Sequence, residues 1–344
     1  VNHGLAANLN IPRHNAFWSL FGYYPPKSGP VMLTFGFVDH DPERTSTGHF
    51  QGPYFSWYDG LWSYRGKGMS VETQVSAHYT HGDLLNSIDA ALAKAGKNPA
   101  TPSLEDLAPV DEFHVRGREA TAELGAHLGL QEEHRVLDVG SGLGGASRQL
   151  ATVYKCQITG IDLTEEYCRV ATELASRVGL SDRVRYQQGS ALAMPFTDNS
   201  FDIAYTQHVA MNIADKAGLY REIARVLKPR GRFGIYDLLQ GQGGPVLFPV
   251  PWAHDASTSF LANPDEMRGL LSNAGFDVTN WNDTSEIGKE WFKAVNKRLA
   301  ESGPSPLGFQ VLLGADFATM AKNQVRNLVE DRIRPTEITC VKRP

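Results

Sequence analysis

From Asp83 onward the chain carries a readable rhythm of apolar and polar positions. Leu84, Leu85, Ile88, Ala91 and Leu92 recur three and four residues apart, which gathers them on one helical stripe. This predicts a helix to about Ala95, with Asp83 placed to cap its start. A loop holding Pro99, Pro102 and Pro109 follows, then a second helical stretch over 116–128. Beyond it, short apolar runs predict strands over 135–139, 157–161, 184–188, 201–206, 231–237 and 276–282. Helical patterns over 147–153, 165–178, 216–227 and 264–274 separate them. Strands that alternate with helices form βαβ units, so the expected fold is α/β, with a doubly wound parallel sheet. Residues 285–331 read as two helices around a turn at Gly303, Pro304 and Pro306, ahead of a final strand over 337–342. A helical cap inserted there is well sited to roof a site.

Residues 1–68 show no such rhythm. They are dense in Gly, Pro and aromatic residues (Phe17, Trp18, Tyr23, Tyr24, Tyr54, Trp57, Trp62) and are expected to form an irregular N-terminal arm of short strands and loops. Because the sequence begins with Val1, two readings stand side by side: a genuine arm, or translation from a GTG codon upstream of a true start at Met69. The domain expected to carry function spans residues 69–344, with the helical cap at about 285–331.

Composition narrows the partners. The 33 Lys and Arg against 38 Asp and Glu give a formal charge of −5, with no dense basic run. An electrostatic grip on nucleic acid or anionic lipid needs a concentrated basic face, so neither is expected and a small-molecule partner fits better. Cys156, Cys168 and Cys340 are scattered and form no C-x-x-C pair, which suggests neither a disulfide framework nor a zinc site. A cytoplasmic location is expected. The apolar stretch at 31–38 is too short to span a bilayer and lacks a basic leader. A homodimer is left open.

The chemistry concentrates at one turn. In Val136-Leu137-Asp138-Val139-Gly140-Ser141-Gly142-Leu143-Gly144-Gly145 a strand passes through glycines into a helix, which lets backbone approach a ligand closely. Asp162, before Leu163, ends the next strand, where a carboxylate can accept from both hydroxyls of a ribose. A NAD-linked oxidoreductase shares these two features. Three more follow in order: Gly189-Ser190-Ala191 after the third strand, Phe201-Asp202 opening the fourth, and Leu227-Lys228-Pro229-Arg230-Gly231-Arg232 before the fifth.

Together these motifs resemble class I S-adenosylmethionine (SAM)-dependent methyltransferases, from about Thr73 to the C-terminus. The resemblance implies a Rossmann-like seven-stranded sheet with a reversed last strand and SAM across the carboxyl ends of its first strands. Gly140, Gly142, Gly144 and Gln207 would then border the methionine part, Asp162 the ribose, and Ser190 with Ala191 the adenine edge, with Asp138 and Leu163 also bordering the cofactor. Ser190 departs from the pattern, since many relatives carry an acidic residue there. The segments 78–82, 113–121 and 206–213 look similar to sarcosine and dimethylglycine N-methyltransferases.

Methyl transfer mainly requires two partners held in line and shielded from water. Aromatic faces favour a sulfonium or an amine cation, and Tyr79, Tyr236 and Trp252 are the candidates. Where a proton must leave the acceptor, His208 is the first choice of base and His114 the second. The leading expectation is N-methylation of a small amine or amino acid, with Arg118 as charged partner. The alternatives are O- or C-methylation of a larger apolar or aromatic metabolite and a SAM binder without catalysis. No metal constellation is visible, because the histidines do not pair at ligand spacing.

Overall fold

A computed structural model describes residues 70–344; the arm expected over 1–68, and Met69, lie outside the described residues. Among the described residues four helices come first: α1 (Val71–Tyr79), α2 (Leu84–Lys94), α3 (Leu104–Asp111) and α4 (Gly117–His127). Then β1 (Arg135–Val139), α5 (Gly145–Tyr154), β2 (Gln157–Asp162), α6 (Glu165–Arg177) and β3 (Val184–Gln188) alternate. They are followed by β4 (Phe201–Gln207), α7 (Lys216–Val226), β5 (Leu227–Gln240), α8 (Pro264–Asn273) and β6 (Phe276–Asp283). The chain closes with α9 (Ser285–Ser302), the single turn α10 (Gln310–Leu313), α11 (Phe317–Val329) and β7 (Ile333–Lys342).

The seven strands form one sheet in the order β3-β2-β1-β4-β5-β7-β6. β1 to β5 run parallel, while β7 slots between β5 and β6 and is antiparallel to both. This is the expected doubly wound sheet with its reversed last strand. β1 shows why it is buried on both faces. Val136 joins Ile158, Ile203 and Tyr205 against Leu124 of α4 and Leu150 of α5. Leu137 and Val139 point the other way, into a core with Leu219 and Ile223 of α7 and Leu271 of α8. Each large aliphatic side chain so buried contributes about 1.5–3 kcal/mol, so the two cores together hold the sheet between its helices.

Four local expectations need correction. α1 was not foreseen, because only Val71, Val75 and Tyr79 give it an apolar stripe and none of its residues is buried. α3 replaces an expected loop. Ser103 Oγ accepts from the Asp106 N–H and the Asp106 carboxylate accepts from the Ser103 N–H, a reciprocal cap that starts the helix. Pro109 is tolerated near its end. Asp83 precedes α2 but makes no capping bond; its carboxylate takes the Asn86 side-chain amide instead. The cap comes from Glu166 of α6, which accepts from the backbone N–H groups of His81, Gly82 and Leu84 at 2.6, 2.8 and 2.9 Å. Finally, β7 begins at Ile333 rather than residue 337, since Pro335 masks its first half as a breaker.

Candidate active site

The carboxyl ends of β1, β2 and β4 open on a cavity of about 320 Å³. On one side it is lined by the turn from β1 into α5. Gly140 there runs at φ +76°, and a Cβ on it would lie 2.4 Å from Val209 Cγ2, so only glycine fits without strain. The N–H groups of Gly140 and Ser141 donate to the Ile161 carbonyl at 2.7 and 3.1 Å, which draws the turn back onto β2. Asp162, at the end of β2, accepts from the Gly142 N–H at 2.8 Å and from the Thr164 N–H at 2.9 Å. Burial pushes its carboxyl above the ordinary value, against the pull of those two donors. Asp138 also lines the cavity and accepts from Ser147 Oγ at 2.6 Å; burial pushes its carboxyl up to about 6.

On the other side Gln207 ends β4 and the chain turns sharply through His208 at φ +52°. The His208 N–H donates to the Tyr236 carbonyl at 2.7 Å, and its ring stacks on Tyr236 with centroids 5.4 Å apart. His208 Nε2 is buried and has no hydrogen-bond partner among the described residues. Burial, then the neighbouring His114 imidazole at 5.8 Å, hold its pKa well below 6.5, so the ring is neutral at neutral pH.

His114 sits in a polar network. Its Nδ1 lies 3.2 Å from the Val115 carbonyl, which can only accept, so Nδ1 donates. Gln207 Nε2 donates to Thr121 Oγ1 at 3.1 Å and lies 3.3 Å from His114 Nε2. Thr121 in turn donates to the buried Glu112 carboxylate, which stands 3.4 Å from His114 Nε2. Tyr79 of α1 reaches over from the far wall, its hydroxyl donating to Asn212 Oδ1 at 3.1 Å. Burial first, then the Asp162 and Asp237 carboxylates, raise the Tyr79 pKa, so the phenol keeps its proton. Asn212 is fixed by donating to the Trp252 and Thr258 carbonyls, both at 2.8 Å.

Residues 137–235, which hold the glycine turn, Asp162 and His208, match a family model described as a methyltransferase domain. That stretch of the chain is a methyltransferase domain. It is 32% identical over 182 residues to an O-methyltransferase of Penicillium expansum, covering 53% of this chain and 66% of that one. It is 26% identical over 271 residues to a glycine/sarcosine/dimethylglycine N-methyltransferase of Actinopolyspora halophila, covering 78% of this chain and 47% of that one. The chain thus spans about half to two thirds of the length of these relatives. Among solved structures, phosphoethanolamine N-methyltransferase 2 of Haemonchus contortus in complex with SAM shares the fold. Its TM-score is 0.63 at 20% identity, over 80% of this chain and 61% of that one.

The cavity would suit SAM as its cofactor. The glycine turn admits a close ligand, and Asp162 offers a carboxylate to ribose hydroxyls. The cavity collects Asp138, Gly140, Gly142, Asp162, Leu163, Ala191 and Gln207, with Tyr79, His114 and His208. Five residues expected at the site fall outside its lining. Gly144 backs onto Tyr186, whose hydroxyl donates to its carbonyl at 3.0 Å. Ser190 is half-buried beside the cavity and donates to Glu72. Arg118 is spent on Gln149, at 2.8 Å, and Glu105. Tyr236 is buried behind His208, and Trp252 is core, its indole donating to Ser259 Oγ at 3.0 Å. All three were chosen for side-chain type, and the fold turns that chemistry inward or outward.

Sequence reasoning passed over Glu72, Glu112, Thr121 and Asn212. Three of them left a trace. Glu112 lies two residues before His114, Thr121 four residues into α4 on its buried face, and Asn212 four residues after His208. Among the described residues no group of three His, Cys, Asp or Glu is arranged to hold a metal ion. No described helix is long and apolar enough to cross a membrane.

Proposed function

We propose that the chain methylates a hydroxyl oxygen on a small, largely apolar, uncharged acceptor. The observation that carries this is His208: a neutral, buried imidazole whose Nε2 has no partner among the described residues and which lines the cavity. A buried nitrogen left unpaired costs about 1–3 kcal/mol, which a hydroxyl in the cavity would relieve. SAM supplies a methyl group on a sulfonium, which a nucleophile takes in line, leaving S-adenosylhomocysteine. A neutral alcohol or phenol must lose its proton in that event, and His208 Nε2 is the acceptor on hand. Tyr236 beneath the ring and the bond from the His208 N–H hold the imidazole at one angle. His114, Gln207, Thr121 and Glu112 frame the same wall.

The amine reading needed a cation to hold the carboxylate of an amino acid, and Arg118 does not line the cavity. Among the described lining residues there is no Lys or Arg, while Glu72, Asp111, Glu112, Asp138, Asp162 and Asp215 are present. An anionic acceptor is repelled by that set, whereas Phe113, Met211 and Leu312 offer an apolar bed. Incubating the full chain with SAM and a panel of phenols, alcohols, sarcosine and dimethylglycine, with product mass as readout, tests this. The expected result is a gain of one methyl on hydroxyl acceptors. Methylation of sarcosine or dimethylglycine with the hydroxyl compounds untouched would overturn the reading.

A further inference from the structure

We infer that Glu72, on α1, reads the amino edge of the adenine ring in place of the acidic residue that Ser190 replaces. The inference rests on the SAM reading of the cavity. With ribose hydroxyls at Asp162, the base lies toward the end of β3, where the cavity continues between Gly189, Ala191 and Leu192 and the α1 residues Val71 and Val75. These apolar groups suit the faces of a flat ring, and its edge needs a polar partner. Glu72 lines the same stretch. Ser190 Oγ accepts from the Leu192 N–H at 3.1 Å, which aims its own proton at Glu72 Oε1, 2.5 Å away. One carboxylate oxygen is thereby held in place, and Oε2 makes no hydrogen bond to another described residue. An exocyclic amine is the donor it lacks. A carbonyl at the same ring position would instead meet a negative charge.

Local structure supports the assignment. Ser70 Oγ accepts from the Thr73 N–H and starts α1, so Glu72 falls in its first turn at a fixed angle to Val71, Val75 and Tyr79. The helix buries none of its residues, and its far end is tied by the Tyr79 bond to Asn212 and by His78 Nε2 at 3.1 Å from the Pro251 carbonyl. A bound adenine ring would thus fasten the near end of a wall that is otherwise held mainly at the far end.

Isothermal titration of the full chain with S-adenosylhomocysteine and with S-inosylhomocysteine, which carries a carbonyl in place of the amine, tests the inference. The unaltered chain should prefer the adenosyl compound. Glu72→Gln should bind it about tenfold more weakly, the effect of losing one charge-assisted bond, and should narrow or reverse the preference because Gln can donate. An unchanged ratio of the two affinities in Glu72→Gln would overturn the role of Glu72 while leaving the cofactor site standing. Failure of the unaltered chain to bind either compound would overturn both.

Discussion

Gly140 and Gly142 stand two residues apart in the same turn and do different work. Both occupy positive φ, +76° and +52°, so an L side chain at either is strained by about 1–2 kcal/mol. Only Gly140 also faces a neighbour, the Val209 methyl groups that follow His208. A Cβ at Gly142 meets nothing within 4 Å. Gly140→Ala is therefore expected to cost about 2–4 kcal/mol in urea unfolding, overpacking added to strain, and Gly142→Ala about half that. Equal losses would mean that the contact with Val209 relaxes freely. The contact also ties the turn from β1 into α5 to Val209, the residue next to His208.

At the scale of elements, α2 shows how a helix start can be set from a distance. The Glu166 carboxylate of α6 takes three backbone N–H donors before and within the first turn of α2, work that a local cap usually performs. Burial alone would raise the Glu166 pKa, yet the bonds from Leu84, His81 and Gly82 outweigh it and the net shift is downward. A depressed carboxyl contributes stability above its unfolded value of 4.5 and loses it as pH falls through the folded one. Glu166→Gln should therefore lower unfolding stability by about 1–2 kcal/mol at neutral pH, and the gap to the unaltered chain should shrink below about pH 4. A gap that persists in acid would assign the effect to packing.

The same elements show what could be read in advance. The alternating strands and helices from β1 to β6 were legible because β1, β4 and the second half of β5 are largely apolar and the helices between strands are amphipathic. The glycine turn and Asp162 were legible because their chemistry is local. The distant cap of α2, the placement of Glu72 against Ser190 and the burial of Trp252 were not, since each depends on segments brought together from 40 to 118 positions apart. Arg118 shows the converse. Its charge suggested a role that the partners Gln149 and Glu105 claim first.

At the scale of the whole molecule, the sheet order explains why one cavity holds both halves of the chemistry. β1 lies between β2 and β4, so their carboxyl ends bring the glycine turn, Asp162 and Gln207 with His208 to one place, although 67 positions separate Gly140 from Gln207. α1 and α10 add the remaining walls through Tyr79 and Leu312, from opposite ends of the domain. In the proposed reaction His208 serves proton acceptance alone and takes no part in holding SAM. The direct test is methyl transfer from SAM to a hydroxyl acceptor by the full chain and by His208→Gln, with S-adenosylhomocysteine affinity measured on both. Turnover should fall about 100-fold or more while affinity stays within about twofold. Undiminished turnover in His208→Gln would contradict the account, as would a loss of turnover explained entirely by lost cofactor binding.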